Sequence, residues 1–335
     1  MYTKKTTHNK MNTKSTTKEF IIIEDEKDVP KPIIKWVGGK TQILHKLIPE
    51  FPKSMNNYYE IFMGGGSVLL ALLTSIQNGT ILLTGGVYAY DVNEALIHVY
   101  KNIQSNHYEL LFDETQKIIK EFNESGEDEK NVELKTFKPT SIVEAKHSKH
   151  NYYYWIRDKY NSLSAMEKNS VTGSALFIFL NKTCFRGVFR EGPNGFNVPY
   201  GNYTNPEIIN KEHMEVIHHL IQGVVFEVKD FEDSLNEISG PDDYAYLDPP
   251  YAPETKTSFV KYTKLGFTID KHKRLFEICE KLTMEKKRFM MSNADVTLVK
   301  EHFAQHYNVA SVMCKRAINS KNPESKVSEV IIKNY

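Results

Sequence analysis

Hydrophobic and polar positions along the chain change texture in blocks. The first 28 residues carry few apolar positions and no helical or strand repeat, closing on the charged stretch 24–28 behind a short apolar run at 21–23, which predicts a mobile N-terminal tail. From residue 31 short buried strands alternate with one-faced helices. Residues 58–62 read as a strand, 64–66 as a glycine turn and 67–76 as a helix opening on a Ser cap. Residues 80–83 and 87–91 read as extended, and 93–103 as a helix with Leu96, Ile97, Val99 and Tyr100 roughly on one face. After about residue 206 the alternation resumes: helix 206–222, strands 224–228 and 244–247, helix 268–286 opening at Thr268, then strands 289–292, 309–312 and 327–333, the last two as an antiparallel edge. The stretch between differs: 113–133 is acid-rich and reads as a solvated face or loop, 151–160 is dense in aromatics, and 183–203 packs Gly, Pro, Asn and Arg into a loop. The pattern predicts an α/β fold from two segments, 29–103 and 207–335, with 104–206 as an inserted module and no internal repeat.

The chain has 335 residues, of which 40% are hydrophobic and 25% charged, a balance that excludes a disordered or collagenous chain. No apolar run approaches the ~18 residues of a membrane span. The N-terminal block lacks the apolar core of a secretory signal, so the chain is expected to stay intracellular, in a reducing compartment. Cys184, Cys279 and Cys314 lie too far apart for a CxxC zinc site or a disulfide framework, and no metal is expected. Lys and Arg number 43 against 42 Asp and Glu, which excludes a histone-like coat of charge and leaves room for a local basic face.

Four motifs carry candidate chemistry. Asp248-Pro249-Pro250-Tyr251 follows directly on the strand 244–247, at a carboxyl end where open α/β sheets bind ligands. The prolines fix φ and extend their predecessors, holding the Asp248 carboxylate, the Pro249 carbonyl and the Tyr251 ring in one relation. Two acceptors and an aromatic suit an exocyclic amine: both N–H hydrogens are accepted, the lone pair is aimed, and Tyr251 stacks on a base taken out of the helix. Phe62-Met63-Gly64-Gly65-Gly66 lets backbone approach a ligand, although Leu69 stands where a full GxGxxG fingerprint needs glycine. Asp91, at the end of the next strand, stands where an acid binds a ribose diol or caps the following helix. Lys35-Trp36-Val37-Gly38-Gly39-Lys40-Thr41 ends like a phosphate loop, but Ile34 occupies the required Gly position; Lys40 can neutralise a ligand carboxylate and Trp36 can pack beside the ligand or in the core. In the insertion, 181–190 interleaves cations with aromatics ahead of Phe196-Asn197-Val198-Pro199-Tyr200-Gly201, a composition suited to reading guanine, meeting phosphates and wedging base steps, or to an ordinary surface loop.

Taken in order, KWVGGK, FMGGGS, AYDVN, FRGVFREGPNGFNVPYG and LDPPYAP make the chain resemble the Dam-type DNA adenine-N6 methyltransferases from about residue 31 to its end. The resemblance implies a Rossmann-like S-adenosylmethionine-dependent methyltransferase sheet with a mainly helical DNA-recognition insertion, acting on double-stranded DNA by base flipping. It implies Trp36, Lys40, Gly64, Asp91, Asp230, Phe231 and Asp248 around the methyl donor, and Asp248, Pro249 and Tyr251 around the target adenine. It implies Lys35 near the first guanine of a GATC or related short site. Phe185, Arg186, Val188, Arg190, Pro199 and Asn202 fall on DNA-contacting positions. Three of the residues depart from the family's usual choices: Phe185 replaces Tyr, Arg186 replaces Asn, and Asn202 replaces Arg. A restriction–modification setting is among those the resemblance implies, and a monomer is the default. The competing readings are an amino-methyltransferase of RNA or protein, and a non-catalytic DNA-binding module of the same fold. A zinc deaminase is excluded by the missing PCxxC.

Overall fold

Short apolar runs bounded by turn residues become the strands β1 (Tyr58–Glu60), β2 (Val87–Asp91), β3 (Val224–Val228), β4 (Tyr244–Leu247), β5 (Arg288–Ala294), β6 (Asn308–Lys315) and β7 (Lys326–Lys333). They form one seven-stranded sheet in the order β3-β2-β1-β4-β5-β7-β6, parallel except for β7, which runs antiparallel to both neighbours. The computed structural model describes residues 29–128, 132–253, 266–315 and 326–335.

The sheet is covered on both sides because its strands are apolar on both faces. Tyr58, Tyr244 and Tyr246 enter one core while Tyr59, Ala245 and Leu247 enter the other, the two-residue alternation of a pleated strand. The first core is closed by α1 (Ser67–Gln77), α2 (Glu94–Gln104), α3 (Tyr108–Glu124), α4 (Lys149–Ser162), α5 (Val171–Thr183) and α6 (Lys211–Leu220). The second is closed by α7 (Phe231–Asn236), α8 (Ile269–Met284) and α9 (Thr297–Phe303). This mixed α/β architecture, a mostly parallel sheet between helices, is that of S-adenosylmethionine-dependent methyltransferases. Helices of the middle segment share the first core: Phe122, Tyr152, Phe177 and Phe179 are buried in the same cluster as Leu69 and Tyr100.

Because β1 to β5 run parallel, the segments after β1, β2, β3, β4 and β5 all emerge at one edge of the sheet. That edge receives Gly64, Asp91, Asp230 and Asp248. Several local expectations shift. Ser67 does not cap α1: Gly66, at φ +77°, is the N-cap residue, and the Ser67 Oγ instead accepts from the Lys40 backbone N–H at 3.0 Å. Of 80–83, only Leu82–Leu83 is a strand, paired with Ser54–Met55 outside the main sheet. The helix expected over 206–222 starts at Lys211, because the Asn210 side chain accepts from His213 N–H and fixes the start there. Much of the acid-rich stretch is the helix α3, which buries Leu111, Thr115 and Phe122 along one side. The last two strands are antiparallel, but β7 lies inside the sheet, so β6 alone is that edge. The expected tail 1–28 lies outside the described residues.

Candidate active site and nucleic-acid interface

The carboxyl end of β4 delivers Asp248 to a corner with Lys40 and Tyr251. Lys40, 4% exposed, donates to Asp248 Oδ2 at 2.6 Å and to the Gly38 carbonyl at 2.6 Å. Its ammonium also sits 4.9 Å from the centre of the Tyr251 ring. The cation expected to meet a ligand carboxylate thus meets Asp248. Tyr251 donates its hydroxyl hydrogen to Glu329 Oε2 at 2.7 Å, and the same hydroxyl lies near enough to Asp248 to favour its ionised form. Asp248 Oδ1 is buried and has no hydrogen-bond partner among the described residues. A desolvated carboxylate oxygen without a donor is costly, which points to a ligand as its complement. Burial holds the Asp248 carboxyl above the ordinary aspartate range, with Lys40 opposing and Glu329 reinforcing the rise. Pro249 is buried in the same turn, and Ala252 N–H donates to the buried Asn293 Oδ1 at 3.1 Å, tying the end of this turn to β5.

A second group forms around the glycine turn. Asp91 accepts from Gly64 N–H at 2.9 Å through Oδ2 and from Asn93 N–H at 2.8 Å through Oδ1. Asp91 therefore ties the turn after β1 to the end of β2, while the cap of α2 is Asn93. Burial raises the Asp91 pKa against the pull of these backbone donors. Gly64 adopts φ +51°, and a Cβ there would come within 2.9 Å of Trp36 Cδ1. Trp36 is half-buried against this turn on one side and stacks on Phe189 at 5.7 Å on the other. Asp230 caps α7, accepting from Glu232 N–H, and Phe231 packs with Phe62 and Phe267, at 6.0 Å and 5.3 Å between ring centres. The bare glycine backbone, the acid ending β2, this aromatic cluster and the unpaired Asp248 oxygen fit a nucleoside-bearing ligand along the carboxyl edge.

The third group is an outward-facing loop after α5. Phe185 is 49% exposed and its N–H donates to the Pro199 carbonyl at 2.8 Å. Arg186 takes a left-handed conformation, φ +58°, with its guanidinium 5.1 Å from the Phe185 ring centre and its N–H donating to Tyr203 Oη. Lys35 is exposed and lies 4.6 Å over the Tyr203 ring. Val188 is partly buried against the core, Pro199 is exposed, and Asn202 is exposed at φ +52°. Arg190 precedes a short hairpin that pairs Glu191–Gly192 with Gly195–Phe196, and donates through Nε and Nη2 to Asn197. Burial, together with the neighbouring Lys35 charge, pushes the Lys182 ammonium down to about 8.

Sequence reasoning passed over four contributors. Glu60, 2% exposed, accepts from Tyr58 at 2.8 Å; burial pushes its carboxyl up to about 8, partly offset by Tyr58, with the nearby Asp248 charge adding to the rise. A charged residue in an apolar strand was its visible signal. Glu329, Asn293 and Asn181 gave none, since their partners lie far away in the chain.

Among the described residues no helix is long and apolar enough to cross a membrane, and no group of three or more His, Cys, Asp and Glu side chains is placed to hold a metal. A family model described as D12 class N6 adenine-specific DNA methyltransferase matches residues 36–318. The chain is 33% identical to a Type II methyltransferase, M.MjaIII, of Methanocaldococcus jannaschii, over 91% of this chain and 99% of that protein. It is 27% identical to a DNA adenine methylase of Haemophilus influenzae, over 89% of this chain and 90% of that protein. A DNA adenine methylase of Escherichia coli is 28% identical over 90% of this chain and 94% of its own length. With the match spanning most of the chain, the protein belongs to the D12 class of N6 adenine-specific DNA methyltransferases.

Proposed function

We propose that the Asp248 corner transfers the methyl group of S-adenosylmethionine to N6 of an adenine flipped out of double-stranded DNA. The observation that carries this reading is the buried, unpartnered Asp248 oxygen beside Lys40, at the carboxyl edge that also presents Gly64 and Asp91. Bound, the donor supplies an electrophilic methyl carbon. Gly64, Asp91, Asp230 and Phe231, with Trp36 behind the glycine turn, orient it.

Adenine N6 is a weak nucleophile because its lone pair is drawn into the ring. Asp248 Oδ1 accepts one N6 hydrogen and the Pro249 carbonyl the other, which turns the lone pair out of the ring plane and along the line of attack. Positive charge grows on N6 as the bond to carbon forms, and the Asp248 carboxylate stabilises it. Its burial-raised pKa makes Asp248 a better acceptor for the departing N6 proton than an exposed aspartate. Tyr251, fixed by Glu329, supplies the ring against which the base stacks.

On the DNA side, Lys35, Phe185, Arg186, Val188, Arg190, Pro199 and Asn202 form the reading surface, with GATC or a related short site as target. The segment 104–206 serves as the recognition insertion between catalytic segments 29–103 and 207–335, in a protein acting as a monomer inside the cell. Likeness to Type II methyltransferases supports a place in restriction–modification. The test is transfer of labelled methyl groups to duplex DNA, RNA and protein. Transfer to duplex adenine is expected, and Asp248→Ala should keep donor binding while losing turnover by orders of magnitude. Near-normal turnover in that variant would refute the assignment.

A further inference from the structure

We propose that Asn181 is a positioning residue for DNA-sequence discrimination, its carboxamide locking Lys35 and the loop 185–190 into one register. The proposal rests on the DNA-reading role given above to Lys35 and that loop. Asn181 lies in the last turn of α5 and is 1% exposed. Its Oδ1 accepts from Lys35 N–H at 2.8 Å, and its Nδ2 donates to the Lys35 carbonyl at 2.8 Å and to the Gly187 carbonyl at 3.3 Å. The amide thus pairs with both backbone groups of one residue, as a neighbouring strand would, and spends its second hydrogen on the loop.

Lys35 has a fixed backbone and an exposed side chain, the arrangement a base-reading cation requires. The loop is pressed against it. Gly187 sits at φ +63°, and a Cβ there would lie 2.5 Å from Lys35 Cβ. The adjacent Trp36 stacks on Phe189 with 24° between ring planes. The exposed Phe185 and Arg190 flank this contact in the sequence, so a shift at Asn181 moves Lys35 relative to both.

Two variants perturb the contact from opposite sides. Asn181→Asp preserves shape and the bond from Lys35 N–H but turns an oxygen toward two carbonyls. Gly187→Ala leaves the amide intact and pushes on Lys35. Transfer kcat/KM is measured on a preferred duplex and on duplexes with each base pair replaced singly, alongside the donor dissociation constant. Both variants should keep donor affinity within about twofold and lose about tenfold or more of the discrimination at the base pair facing Lys35. Unchanged ratios, or a uniform loss at every sequence, would overturn the proposal. So would loss of donor binding in both variants, since the contact would then serve the fold. A wild-type protein showing no preference among duplexes would instead defeat the DNA-reading assignment beneath it.

Discussion

Replacing Lys40 by Met removes a buried charge while keeping an unbranched side chain of similar volume. Lys40 and Asp248 are 2.6 Å apart, with side-chain exposures of 4% and 17%. Unit charges at that distance attract by ~6 kcal/mol at an effective dielectric of ~20. Desolvation consumes part of this, and breaking a buried pair by deleting one partner typically costs ~3–5 kcal/mol. Because Lys40 favours the ionised form of Asp248, its loss must raise a carboxyl that burial already holds high. Taking ~3–4 kcal/mol, at about 1.4 kcal/mol per pH unit, the acid limb of the kcat profile moves up by about 2–3 pH units. The assay is methyl transfer at saturating DNA and donor from pH 6 to pH 10, with the acid limb of the variant displaced to higher pH than that of the wild type. A uniform loss with the acid limb unmoved would refute the claim that Lys40 keeps Asp248 ionised.

Other substitutions probe the remaining parts. Gly64→Ala, at φ +51° with its Cβ 2.9 Å from Trp36, should weaken donor binding by about tenfold or more in calorimetry, and unchanged affinity would contradict a cradle at that turn. Burial pushes the Glu60 carboxyl up to about 8 from the ordinary 4.5 of a free glutamate, so between these values the folded state holds the proton that the unfolded state has released. Wild-type stability is therefore lost as pH rises between these values, and Glu60→Gln should be free of that slope. Whatever fixed offset the amide brings, urea denaturation should show the variant gaining ~4–5 kcal/mol on wild type from pH 4.5 to pH 8; a pH-independent gap would count against a buried neutral Glu60. Arg190→Ala should relax preference at one base pair, whereas an equal loss across all sequences would make Arg190 a phosphate contact.

Much of the fold was legible because strands such as 87–91, 224–228 and 244–247 are short apolar runs bounded by turn or charged residues, and the sheet alternates faces residue by residue. The helix α3 was legible in principle: Leu111, Thr115 and Phe122 recur at helical spacing, but the acidic residues between them, of which Asp113 is exposed and Glu121 accepts from the Tyr152 hydroxyl, set the impression of the stretch. Ser67 misled because a serine before an apolar run is a cap signal, whereas here Gly66 makes the turn and the Ser67 hydroxyl serves Lys40 N–H. The Asp-Pro-Pro-Tyr turn announced its chemistry locally through fixed backbone angles. Its charge partner did not: Lys40 stands 208 residues away, and nothing in either segment specifies the pair before the sheet is assembled. The same holds for Asn181, which looks like any helix-end polar residue until Lys35 is packed against it.

The claim on which the catalytic account stands is that the free oxygen of Asp248 receives the target amine. A structure of the protein with a duplex containing its preferred site and a non-transferable donor analogue tests it directly. The account predicts the flipped adenine with N6 within hydrogen-bonding distance of Asp248 Oδ1 and of the Pro249 carbonyl, in line with the donor's reactive position. An adenine seated elsewhere, or an Asp248 oxygen still unpaired beside a bound base, would contradict it.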